Sequence, residues 1–154
     1  MDLSDLIYPE AVIPALKANS KKQAIQAIAE KAAALTGIEE RDILDTLLQR
    51  EKLGSTGVGG GIAIPHGKLA KLTRISGLFA RLARPIDFEA LDDQPVDLVF
   101  LLLAPEGSGA DQLKALARIA RLLREPGVAA KLRASPDHAA LYAVLTEAAT
   151  SNAA

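Results

Sequence analysis

Arg50-Glu-Lys-Leu-Gly54-Ser-Thr-Gly-Val-Gly-Gly-Gly-Ile-Ala-Ile-Pro-His66-Gly-Lys-Leu69 is the stretch from which the rest of the chain can be read. Between Gly54 and Gly61 it holds five of the eleven glycines, and it runs on to one of only two histidines. Glycine allows φ > 0 and leaves no Cβ between a ligand and the amide N–H groups. Successive amides in such turns form concave anion sites, and a neutral imidazole is a nucleophile at cellular pH. On this reading Gly57, Gly59, Gly60 and Gly61 cradle an anion beside His66. On the other reading the glycines only make turns and His66 is a loop histidine. Pro65 fixes its own φ and biases Ile64 toward extended geometry, so a strand ending at the proline would present His66 on a rigid platform.

Two phosphate motifs are excluded by spacing. A P-loop requires G-x-x-x-x-G-K-[ST], but Gly67-Lys68 is followed by Leu69 and the position five before Gly67 is Ile62. A dinucleotide fingerprint requires G-x-G-x-x-G/A, and counting from Gly57 and Gly59 the third position is again Ile62. Neither nucleotide reading holds.

The whole stretch from Arg50 to Leu69 resembles the IIA components of the bacterial phosphoenolpyruvate phosphotransferase system, in the mannitol/fructose class. Its Ile-Pro-His-Gly-Lys-Leu ending is most similar to the nitrogen-related IIA proteins. The resemblance continues through Arg84-Pro-Ile-Asp-Phe-Glu-Ala-Leu-Asp-Asp-Gln-Pro-Val-Asp-Leu-Val-Phe100 and covers most of the chain. It implies an α/β/α sandwich and makes His66 the phosphorylated residue. It also implies that Arg50 sits close to that histidine. Arginine's planar fork suits phosphoryl oxygens, although a cation in the last turn of a helix also complements the helix dipole. Many members carry a second histidine near the start of the helix after the long apolar strand. Here Gly109-Ala-Asp-Gln112-Leu-Lys-Ala-Leu116 places Gln112 there, and an amide donates a hydrogen bond but cannot titrate.

Composition agrees with a compact carrier. The 154 residues are 49% apolar and 24% charged, a normal balance for one domain. A formal net charge of −1 gives no bulk attraction to nucleic acid or an anionic membrane. The absence of cysteine removes disulfides, thiolate metal sites and cysteine nucleophiles, and is compatible with a reducing cytosol. The longest apolar run, Leu98 to Ala104, is too short for a bilayer. Met-Asp-Leu-Ser-Asp lacks a signal peptide's basic start. A cytoplasmic protein without membrane insertion is expected, with residues 1–149 as the IIA domain and 150–154 as a short disordered tail.

Along the chain, Ser20-Lys-Lys-Gln23 reads as a capping box. Ile25, Ile28, Ala29, Ala32 and Leu35 follow with helical spacing until Gly37. A second helix carries Ile43, Leu44, Leu47 and Leu48 and ends near Gly54. Ile75–Leu82 and Val96–Ala104 are apolar on both faces, as in strands covered by helices. Shorter strands are expected at Val12–Leu16 and Ile62–Ile64. Helices follow near Ala110–Arg124, after Pro126-Gly127, and from Ser135-Pro136, where Ser at N-cap precedes Pro at N1. The predicted fold is a mixed sheet with helices on both faces.

Other residues carry weaker signals. Ser55 and Thr56 can donate to a phosphoryl group or simply form the turn. Lys52 and Lys68 read as solvated. His138 reads as an exposed residue at a helix start. With two distant histidines and no cysteine, no metal site is expected, and no cofactor is called for. Lys114, Arg118 and Arg121 form either a solvated face opposite Leu113, Leu116, Ala120 and Leu123 or a basic docking stripe.

The expected function is a phosphocarrier that takes phosphate on His66 from an HPr-like carrier and acts as a nitrogen-related regulatory IIA with an unidentified protein target. The alternatives are a sugar-specific IIA that passes phosphate to a IIB component, and a regulatory binding module without turnover.

Overall fold

A computed structural model describes residues 3–151. After two short 3-10 turns, Leu3–Leu6 and Pro9–Ala11, come β1 (Val12–Leu16), α1 (Lys21–Thr36) and α2 (Glu40–Lys52). Next are β2 (Gly57–Gly59), β3 (Ile62–Ala63), β4 (His66–Leu69), β5 (Ser76–Ile86) and β6 (Val96–Pro105). The chain then folds into α3 (Gly109–Arg124), α4 (Pro126–Ala134) and α5 (His138–Ser151). The expected α/β class with a mixed sheet is what the chain forms. The sheet order is β1-β5-β6-β3-β2, with β4 also on β6. β1 runs parallel to β5, β5 antiparallel to β6, and β3 and β4 parallel to β6.

β6 is the hinge of the packing because its side chains alternate between two cores. Val99, Leu101 and Leu103 face α1 and α2, joining Ile25, Ile28, Ile43 and Leu47. Leu98, Phe100 and Leu102 face the other layer, joining Ile119, Leu123, Leu132, Leu141 and Leu145. A strand buried on both faces must read as a continuous apolar run, and this one does.

The helix ends follow their sequence signals in most places. Ser20 accepts from the Gln23 amide at 3.2 Å, a cap of about 1 kcal/mol. Gly37 closes α1 in the left-handed region, φ 77°, with its N–H on the Ala33 carbonyl. The last helix departs from expectation. It begins at His138, and its cap is Asp137, whose carboxylate accepts from the Ala140 amide at 2.9 Å. Ser135 instead belongs to the end of α4: its hydroxyl donates to the Lys131 carbonyl and its own carbonyl accepts from Arg81. Pro136 therefore terminates one helix before it can start another. α5 continues to Ser151, and residues 152–154 of the expected tail lie outside the described residues.

The expected strand at Ile62–Ile64 is the shorter β3, one arm of a hairpin with β2. The line of pairing on β6 resumes after Pro65 as β4, a strand the sequence did not announce. Proline lacks the N–H needed for an uninterrupted ladder, so the two strands stay separate. Leu113 also differs from expectation. It is 69% exposed, while Gln112, Ala115, Ile119, Leu122 and Leu123 form the buried face of α3.

Candidate phosphoryl-acceptor site

His66 opens β4 and pairs in register with Leu102 of β6. Its imidazole is half-buried. Nδ1 lies 2.8 Å from the Ile64 carbonyl, and Nε2 lies 3.2 Å from Nε of Arg50. These two partners fix the tautomer. A carbonyl can only accept, so Nδ1 carries the proton; a guanidinium can only donate, so Nε2 carries the lone pair. Burial lowers the His66 pKa below 6.5, and the Arg50 charge acts the same way. The Ile64 carbonyl and the Glu51 charge oppose that shift. The result is a neutral imidazole with its lone pair facing a cation.

Packing at Gly67 brings Arg50 there. A Cβ on Gly67 would meet the Thr46 methyl at 2.6 Å and Leu47 Cδ2 at 3.9 Å. The bare backbone therefore lets α2 press against β4. Arg50 lies one turn beyond Thr46 on the same face, which brings it level with His66. Its Nη1 donates to the Gly54 carbonyl at 2.9 Å, so the guanidinium is held from both sides.

Glu51 was not singled out by the sequence, and it organises the turn beneath this pair. Its side chain is 7% exposed and bonds Lys21 Nζ at 2.9 Å. It also accepts from the Thr56 hydroxyl and from the Thr56 amide at 3.0 Å. Lys21 in turn lies over the Phe88 ring, 5.1 Å from its centroid. An acidic residue beside a helix-end arginine gives no sign of burial in the sequence; the partners come from α1 and the following turn.

The other expected site residues are distributed unevenly. Gln112 is 5% exposed and its amide donates to the Gly67 carbonyl at 3.1 Å, next in sequence to His66. Ser55 donates to the Phe88 carbonyl and accepts from the Gly57 amide. The hydroxyls of Ser55 and Thr56 and the Gly57 N–H are thus already engaged within the turn. The tip of the hairpin stands apart. The Asp97 amide bonds the Gly61 carbonyl, whereas His66 pairs with Leu102; five residues of strand, about 16 Å, separate those levels. The Gly60 amide donates to Asp92 at 3.0 Å, and the Gly60 carbonyl accepts from Arg133. Gly59, Gly60 and Gly61 have φ of 101°, 67° and 80°, which is the conformation that selects glycine here. Their residue type is explained by the turn itself, and the structure does not bring them to His66.

His138 bonds the Pro9 carbonyl, tying α5 to the N-terminal turn, and shares no partner with His66. Lys52 and Lys68 are exposed. Among the described residues no group of three or more His, Cys, Asp or Glu is arranged to hold a metal ion. No helix among them is long and apolar enough to cross a membrane.

Residues 5–148 match the family described as phosphoenolpyruvate-dependent sugar phosphotransferase system, EIIA 2. A nitrogen regulatory protein of Bradyrhizobium diazoefficiens is 70% identical over 145 residues, which span 94% of this chain and 95% of that protein. A nitrogen regulatory protein of Klebsiella oxytoca is 41% identical over 155 residues, spanning 100% and 96%. Among solved structures, the nitrogen regulatory protein IIA-Ntr of Neisseria meningitidis superposes with a TM-score of 0.88 at 30% identity, covering 94% of this chain and 99% of that one. With a neutral histidine held beside an arginine, on a fold shared over nearly its whole length, the chain belongs to the EIIA type 2 family of the phosphotransferase system.

Proposed function

We propose that this protein is a nitrogen-related regulatory phosphocarrier in which His66 Nε2 accepts a phosphoryl group from the phosphohistidine of an HPr-like carrier. The observation that carries the reading is the tautomer: Nδ1–H on the Ile64 carbonyl and the Nε2 lone pair on the Arg50 side. In the transfer, the Nε2 lone pair attacks phosphorus in line with the donor's P–N bond. That bond breaks, its electron pair returns to the donor imidazole, and a new P–Nε2 bond forms. The positive charge arriving on the His66 ring is shared with the Ile64 carbonyl through Nδ1–H. The phosphoryl oxygens take the guanidinium that previously faced Nε2, so Arg50 exchanges a neutral acceptor for an anionic one. Phosphoryl transfer needs mainly such positioning and charge stabilisation.

Arg50 carries the anion in this scheme, and the glycine amides of the hairpin tip do not. Gln112 sits one peptide away and acts as a neutral prop for the His66–Gly67 backbone. The regulatory branch is favoured by the nitrogen regulatory proteins among the close relatives, and the location that goes with this reading is the cytoplasm.

Intact-mass spectrometry after incubation with phosphoenolpyruvate, the first enzyme of the pathway and its HPr-like carrier tests the proposal. One acid-labile, base-stable phosphate per chain is expected, absent in His66→Ala and retained in His138→Ala. Label remaining on His66→Ala would overturn it. Onward transfer to a fructose or mannitol IIB component would replace the regulatory branch with the sugar branch.

A further inference from the structure

On the α1 side of the sheet lies a hollow of about 330 Å³ that the phosphoryl chemistry does not use. Its floor is Ala32 of α1 with Leu78, Leu101 and Leu103 of the paired strands β5 and β6. Its mouth is formed by Tyr8, Glu10, Leu35 and Arg74. The volume falls at the lower end of the roughly 300–1,000 Å³ typical of small-ligand sites, and an apolar floor with a few polar groups at the rim is their usual make-up.

The rim is unusual in its charges. Glu10 and Arg74 line the same hollow but form no ion pair with one another. The Tyr8 hydroxyl, the Glu10 carboxylate and the Arg74 guanidinium have no protein partner among the described residues. Tyr8 and Leu35 leave 43% and 42% of their surface exposed, so the hollow that Glu10 and Arg74 line also has open apolar wall. The last turn of α1, Ala32 to Thr36, also borders the hollow. A helix C-terminus carries partial negative charge and favours a cation, the same preference as Glu10, while Arg74 is the cation of the lining.

We propose that this hollow binds a small zwitterion with an apolar side chain, of the class of the aliphatic α-amino acids. The carboxylate pairs with Arg74, whose fork matches it. The ammonium pairs with Glu10 and the α1 terminus, and the aliphatic group covers Leu78, Leu101 and Leu103. A simple aliphatic acid leaves Glu10 unpaired and is repelled by it. A simple aliphatic amine meets Arg74 in the same way. The opposed charges therefore select the zwitterion. This site is independent of the His66 reading, since neither hydrogen-bond partner of the imidazole, Arg50 or Ile64, lines it.

The test is a methyl and amide NMR titration of the unphosphorylated full chain with L-leucine up to its solubility limit. Isovalerate and isopentylamine serve as single-charge probes. Saturable shifts centred on Leu78, Leu101 and Leu103 are expected with leucine, at least several-fold weaker with either single-charge probe. Arg74→Ala and Glu10→Ala, both exposed positions that leave the core intact, should each weaken leucine binding several-fold. No saturable shift, or shifts centred elsewhere, would overturn the site. Equal binding of isovalerate or isopentylamine would overturn its zwitterion selectivity. A failure of His66 phosphorylation would leave these readings untouched.

Discussion

Arg50 Nε stands 3.2 Å from His66 Nε2, a cation set against the lone pair of a histidine whose other nitrogen is tied to the Ile64 carbonyl. The contact disfavours protonation and leaves a cation beside the lone pair. Both effects follow from one placement, and it is set by the approach of α2 to β4.

The His66 pKa is lowered chiefly by burial and secondarily by Arg50. Between 6.5 and the lower folded value, the unfolded chain takes up the proton first, so stability falls as pH falls through that window and is fully present above it. Phosphoryl acceptance should fall off at lower pH than for an ordinary histidine, because the folded imidazole takes up its proton later. NMR titration of the His66 ring protons should give a midpoint below 6.5, and a midpoint at or above that value would contradict the assigned environment.

Arg50→Lys keeps a cation for the end of α2 but loses the planar fork. A hydrogen bond to a charged group is worth about 1.5–3 kcal/mol, so transfer rates to His66 should drop roughly ten- to a hundredfold with the fold unchanged. Wild-type rates in Arg50→Lys would reduce the arginine to a helix-end charge.

Gly67→Ala places a methyl where Thr46 already packs. Thr46 is β-branched and stiff, so α2 must move. The expected result is a stability loss of about 1–3 kcal/mol from overpacking, together with slower phosphorylation as Arg50 withdraws. Pairing the change with Thr46→Ser, which removes the offending methyl, should restore part of the rate; no restoration would mean that the glycine serves something other than the approach of α2.

Glu51→Gln retains an acceptor for Thr56 but removes the charge that faces Lys21 and raises the His66 pKa. The His66 midpoint should fall further, and the transfer equilibrium should move toward the phosphorylated protein, since a negative charge near the phosphoryl group is gone. Loss of the Lys21 pairing should cost about 1.5–3 kcal/mol in denaturant unfolding. A changed stability with an unchanged His66 midpoint would confine Glu51 to a purely structural part.

Gln112→His tests the one position where the chain lacks a second histidine. The wild-type amide is neutral, so the variant should add a titration to the transfer rate between about pH 5 and 8. Gln112→Ala should alter the profile less, while leaving the Gly67 carbonyl short of a donor. Superimposable profiles for wild type and Gln112→His would show that the side chain at 112 does not influence the phosphoryl group.

The sequence by itself determined a good deal. The doubly apolar run Leu98–Ala104 required a strand covered on both faces, and Ser20 and Gly37 marked the ends of α1, because capping and two-sided burial are local or compositional demands. The ordered motif from Arg50 to Leu69 pointed to the family and to His66 for the same reason: its information is in residue order. Tertiary structure decided the rest. The glycine run looked like one cradle, but successive glycines diverge once the chain turns, and Gly59–Gly61 end a hairpin about five strand residues from the histidine. The cap of α5 moved to Asp137 because Arg81, from a strand distant in sequence, claims the Ser135 carbonyl. Glu51 became a buried anchor only when α1 brought Lys21 to it. Charge, burial and tautomer at His66 depend on which groups meet across the fold, and spacing along the chain does not encode those meetings.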